Sequence, residues 1–107
     1  MKLNMVYEAV EAIEEGRPIF VETNMGSCQC GDALVKVFLK DGVLWAKSCP
    51  GFENPKWKKY DGPAEQCTTS YGVGIIVRQI AEAWSGHRPG EKNLKMIKSP
   101  QGAVACI

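Results

Sequence analysis

The dipeptide Asp41-Gly42 separates residues 33–40, dense in β-branched and aromatic side chains, from the run Val43-Leu44-Trp45-Ala46-Lys47. A two-residue connection needs positive φ at both positions, which Asp-Gly accommodates, so the spacing predicts a β-hairpin closed by a type I′ turn. Strand alternation puts Val35, Val37 and Leu39 on one face and Leu34, Lys36, Phe38 and Lys40 on the other. Only the first face is cleanly apolar, so that face is the one expected to be covered.

Two amphipathic helices flank the hairpin. Leu3, Val6, Tyr7, Val10 and Ile13 fall at helical spacing with Glu8, Glu11, Glu14 and Glu15 opposite, which predicts a helix over residues 4–15, stopped by Gly16. Arg17-Pro18 then forces extended backbone into a short strand, Ile19-Phe20-Val21. The second helix, over residues 70–85, has Thr68, Thr69 and Ser70 as candidate N-caps and Val73, Ile76, Val77, Ile80 and Trp84 as its apolar stripe. Residues 94–98 and 103–107 are expected to close the chain as a second hairpin, which seats Cys106 in the core. Pro50, Gly51, Pro55, Gly62 and Pro63 leave residues 50–66 as one long loop without regular structure.

Interspersed antiparallel strands with two helices define the expected class. It is an α+β fold, a small single domain over residues 1–107, whose β-hairpins form a curved sheet or partial barrel with both amphipathic helices packed on it. Its longest apolar runs are far shorter than the ~20 residues a membrane helix needs, and the start lacks a signal peptide's apolar stretch. The expected setting is cytoplasmic, with no membrane partner.

The formal charge is +1, but residues 1–24 pair Lys2 and Arg17 with five glutamates, a net of −3. An anionic partner would therefore meet the later part of the chain.

Four of the five cysteines lie in predicted loops, as Cys28-Gln29-Cys30, Cys49-Pro50 and Cys67. Loop cysteines gathered by a hairpin can supply the four thiolates of a tetrahedral zinc site, and an iron–sulfur cluster takes the same ligand set. The spacing departs from the usual form, since one residue separates the first pair and the other two are unpaired. Buried cysteines acting as small hydrophobes are the structural alternative. The run from Val35 to Trp45, with cysteines on either side, resembles the amino-terminal cluster-binding segment of molybdopterin-dependent oxidoreductases, over residues 28–67 at most. That resemblance implies a cluster on these cysteines, although Cys28-Gln29-Cys30 is tighter than the family's leading pair and a chain this short has no room for the cofactor-holding body.

Nucleophilic catalysis by a thiol needs a base, and His87 is the single histidine. With Cys67 before the second helix and His87 after it, a rod roughly 24 Å long separates the two, so they form no dyad. Tyr71-Gly72-Val73-Gly74 matches no complete phosphate-binding motif, and its glycines are read as permitting close helix–sheet packing. No catalytic residue is assigned.

Lys56-Trp57-Lys58-Lys59-Tyr60 interleaves three cations with two aromatics, the combination that tracks a phosphate backbone while stacking bases. The leading expectation is a small non-enzymatic binding or regulatory module, metal-stabilised, that engages single-stranded nucleic acid or an acidic protein partner through residues 50–66. A zinc- or iron–sulfur-bearing small subunit of a larger redox or metabolic enzyme is the alternative, and a cysteine-dependent enzyme the third reading.

Overall fold

A computed structural model describes residues 6–23, 34–49, 60–67, 71–86 and 103–106. Along the chain they form α1 (Val6–Glu14), β1 (Ile19–Thr23), β2 (Leu34–Lys40), β3 (Val43–Ser48), β4 (Asp61–Pro63), a 3-10 turn (Ala64–Gln66), α2 (Tyr71–Gly86) and β5 (Ala103–Cys106). The architecture is α+β, as expected.

The hairpin is where the sequence places it. Asp41 and Gly42 have φ of 51° and 78°, and the two-residue turn sets Lys40 against Val43, Leu39 against Leu44, and Phe38 against Trp45. β1 then pairs antiparallel with the outer edge of β2, bringing Ile19 beside Val37 and Val21 beside Val35. β5 adds to β1 and β4 to β3, so the sheet runs β4-β3-β2-β1-β5, antiparallel throughout and open rather than closed into a barrel.

α1 ends for a definable reason. Gly16 takes φ of 83°, its N–H donates to the Ile13 carbonyl, and the Arg17 N–H donates to that of Ala12. These two bonds are the pattern of a Schellman stop, which satisfies carbonyls that the helix end would otherwise leave open. Ala9, Val10, Ala12 and Ile13 are buried, while Glu11, Glu14 and Glu15 face solvent. On α2 the buried stripe is Val73, Ile76, Val77 and Ile80, with Arg78 and Glu82 exposed. Trp84, assigned to the same stripe, is half-buried and packs on the margin of the core.

Both helices lie on one face of the sheet, against Ile19, Val21, Val35, Val37, Leu44, Ala46 and Ala105, and these residues share a single core with them. Burial of that face supplies the main driving force for the fold.

Two expectations are corrected. Residues 61–66 are ordered as β4 and the 3-10 turn, because Asp61, Gly62 and Pro63 pair with Lys47, Ala46 and Trp45 at the sheet edge, where a proline's missing N–H is tolerated. Cys106 is not in the core. Ala105 is the buried residue of β5, so strand alternation turns Cys106, half-buried, to the opposite face. The expected N-caps Thr68–Ser70, the strand over 94–98, His87 and residues 50–59 lie outside the described residues. Among the described residues, no helix is long and apolar enough to cross a membrane.

Candidate functional site

The face of the sheet turned away from the helices carries the feature that sequence reading passed over. Its side chains form two rows running across the strands. One row is apolar, Pro63 on β4, Trp45 on β3 and Phe38 on β2, with each neighbour directly opposed in the strand register. The next is mostly charged, Asp61, Lys47 and Lys36, and it continues through Phe20 of β1 to Cys106 of β5. On the other side of the apolar row, Lys40 stands opposite Val43, which is 48% exposed. The aromatic row is therefore bracketed by lysines on both sides.

Directly opposed residues in an antiparallel pair have Cβ atoms about 5 Å apart, close enough for Phe38 and Trp45 to act as one continuous surface. Both rings are half-buried, and each lies under a cation. The Lys36 Nζ is 5.4 Å from the Phe38 ring centroid, and the Lys40 Nζ is 5.0 Å from that of Trp45. Both distances fall within cation–π range, worth about 0.5–1 kcal/mol where the ammonium remains solvated.

Lys36 and Lys47 are like charges placed opposite one another, an arrangement that destabilises a bare sheet. Asp61 relieves Lys47 from the far side at 4.0 Å, with both side chains more than half exposed, so the pair contributes little to stability. With Glu22 also on this face, opposite Leu34, the three lysines outnumber the two carboxylates.

The residues singled out from sequence are distributed as follows. Lys56, Trp57, Lys58 and Lys59 lie outside the described residues. Tyr60 is half-buried and packs against the core, with its hydroxyl donating to the Pro63 carbonyl and its ring beside Gly62. Burial, then the proximity of Cys67 and of Glu65, raises its phenol above the ordinary tyrosine range.

Cys28 and Cys30 also lie outside the described residues. Cys49, half-buried, follows β3, and its N–H donates to the Leu34 carbonyl at 2.9 Å. Cys67 ends the 3-10 turn, donates its N–H to Ala64 at 3.1 Å and is fully buried in the core. No disulfide joins any two of the described cysteines, and among the described residues no three His, Cys, Asp or Glu side chains cluster to hold a metal ion.

The Phe38–Trp45 pairing was recoverable from the Asp-Gly turn, because a two-residue loop sets the register by itself. Phe20 and Pro63 were not, since their positions depend on β1 and β4 joining the hairpin from distant parts of the chain.

No protein-family model matches the chain, and no solved structure does. The chain is similar to isoleucine–tRNA ligases. Over an alignment of 85 residues covering 72% of this chain, it is 38% identical to the ligase of Halalkalibacterium halodurans. Over the same length it is 36% identical to the ligases of Bacillus cereus and Bacillus anthracis. The match occupies 9% of each of these ligases, so this chain corresponds to less than a tenth of the relatives that it resembles.

Proposed function

We propose that this chain is a non-enzymatic nucleic-acid-binding module whose ligand is RNA. The observation that carries the reading is the aromatic row Phe38–Trp45, bracketed by Lys36, Lys47 and Lys40 on the open face of the sheet. Aromatic rings offer every base a stacking surface, and lysines alongside neutralise the backbone, so the two together suit a polyanion that carries planar groups. The basic, aromatic run Lys56–Tyr60 adds to the same positive balance in the later part of the chain. Likeness to a short segment of ligases whose other substrate is tRNA supports RNA as the nucleic acid. A free amino acid would have little use for three lysines spread over an open face.

The test is fluorescence anisotropy of labelled tRNA and of a single-stranded oligonucleotide across a salt series. Binding at low salt that weakens on a linear log–log plot is expected, with a slope of about −4 for six phosphate contacts on a single strand, three at Lys36, Lys40 and Lys47 and three at Lys56, Lys58 and Lys59. Absence of binding to either RNA at low salt, or tighter binding to polyglutamate than to RNA, rejects the proposal.

A second reading, metal-stabilisation of the same module or of a small subunit of a larger enzyme, rests on where Cys49 and Cys67 fall. Cys49 is bonded to Leu34, four residues beyond Cys30, while Tyr60 is bonded to Ser48 and lies near enough to Cys67 to feel its charge. Cys49 and the strand that follows Cys28 and Cys30 thus meet at one end of the sheet, and Cys67 lies near Tyr60, which is bonded to the residue before Cys49. Zinc or an iron–sulfur cluster would be held by thiolates there. Elemental analysis of the purified protein tests it, and anaerobic visible absorption separates a cluster from zinc.

A further inference from the structure

We infer that Phe38 and Trp45 are stacking positions for two unpaired bases of a single-stranded RNA, and that Lys36 and Lys40 are lids that leave the rings for the phosphates when the bases arrive. The inference rests on the RNA-binding reading above and assigns the mode and strand state of the ligand.

The starting point is what occupies the rings. Lys36 precedes Phe38 by two residues on the same face of β2, and its ammonium sits 5.4 Å from the ring centroid. Lys40 reaches diagonally across the hairpin to Trp45, at 5.0 Å. Each cation therefore covers a π surface that a stacked base would need. An ammonium over a half-exposed ring is held weakly because water competes for it, whereas a base stacked on an aromatic side chain gains both dispersion and the removal of two apolar surfaces from water. Displacement is downhill once the lysine has an alternative partner.

The charged row provides that alternative. Lys36 stands opposite Lys47, and Asp61 compensates Lys47 alone, so a phosphate settling between the two lysines relieves a repulsion built into the free sheet. Bases on the row Phe38–Trp45 put their backbone beside that pair, or beside Lys40 on the other side. Charge complementarity and ring position thus select one occupant, a strand whose bases are free to leave their own stack. A duplex hides its base faces and offers only phosphates, so it loses the ring contribution.

The experiment uses the full chain with 13Cε-labelled lysine, a short oligouridine, a duplex RNA of equal length and polyglutamate. In the free protein the methylene resonances of Lys36 and Lys40 should be shifted upfield by the rings, and oligouridine should return them to ordinary positions. The conservative variants Phe38→Leu and Trp45→Leu keep apolar bulk on the strands, and together they should weaken oligouridine binding on the order of 10- to 100-fold while leaving the salt slope unchanged. Lys36→Gln with Lys40→Gln should instead lower the slope by about 1.4, two single-strand phosphate contacts.

Lysine resonances that stay shifted with oligouridine bound overturn the inference, and this readout needs no variant to fold. RNA binding that persists with duplex and single strand taken equally well, or that is indifferent to both ring substitutions, also overturns it while leaving the broader RNA reading in place. Failure of the wild type to bind any RNA removes both, and polyglutamate releasing the lysines as RNA was expected to would make the occupant an acidic protein.

Discussion

Tyr60 and Ser48 are joined twice, the Ser48 N–H donating to the Tyr60 carbonyl at 2.9 Å and the Tyr60 N–H donating to the Ser48 hydroxyl at 3.2 Å. The chain leaves β3 at Ser48 and is bound back to the same residue at Tyr60. Replacing Ser48 with alanine removes one of the two bonds and should cost about 0.5–1.5 kcal/mol of stability in a denaturant titration. An unchanged midpoint would mean that the backbone bond alone holds Tyr60 to Ser48.

The loop lysines should act on binding and leave folding alone. Changing Lys56, Lys58 and Lys59 together to alanine is expected to weaken RNA binding and to reduce the salt slope by about 2, with thermal stability nearly unchanged, because exposed charges contribute little to folding. Should the triple variant unfold instead, the loop is a structural cover, and binding would rest on the open face of the sheet.

Ile76 tests the core. It is fully buried on α2 in the core shared by both helices and the sheet, so truncation to alanine should cost about 2–5 kcal/mol, the range for a large-to-small change that leaves a cavity. A loss below ~0.5 kcal/mol, the size of an ordinary surface change, would contradict that placement.

Legibility from sequence follows the range of the physics involved. The 3.6-residue periodicity of Val73, Ile76, Val77 and Ile80 is local, and so is the Asp-Gly turn, and both appear in the fold as read. Cys106 turned the wrong way in that reading because nothing within residues 103–106 says which alternate set faces inward. The pairing of Val21 with Ala105 decides it, across more than eighty residues of chain. Pro63 misled for a related reason, since a proline breaks a central strand and is harmless on an edge, and the edge exists only once β3 is in place. The open-face site had its lysines and aromatics in view, on the face already described as less apolar, but its rows appear only when four strands are set side by side.

Gly42 offers a clean measure of the turn. Its φ is 78°, and a Cβ built there would meet nothing within 4 Å, so the cost of Gly42→Ala is conformational and not steric. A left-handed L-residue costs roughly 1–2 kcal/mol, and that is the loss expected by chemical denaturation. Gly42→Asn should lose less, since asparagine visits this region more readily. Equal losses for the two would place the cost elsewhere in the hairpin.

Tyr60 should give the protein an alkaline limb in its stability. Its phenol is raised chiefly by burial and then by Cys67 and Glu65, whose negative charges disfavour a phenolate beside them. The unfolded chain releases this proton near pH 10, while the folded chain holds it to higher pH, so in that window the native state binds more protons. The contribution is therefore full below about pH 10 and is lost as pH rises through the folded value. The neutral phenol is also the donor to the Pro63 carbonyl, and deprotonation removes that bond. Tyr60→Phe should be less stable than wild type at neutral pH, having lost the bond, and the two stabilities should converge above about pH 10, where wild type loses it too. Denaturant unfolding of both proteins at steps from about pH 8 to about pH 11 measures the gap. A gap that stays constant across that range would mean that the Tyr60 hydroxyl is not what the folded chain protects.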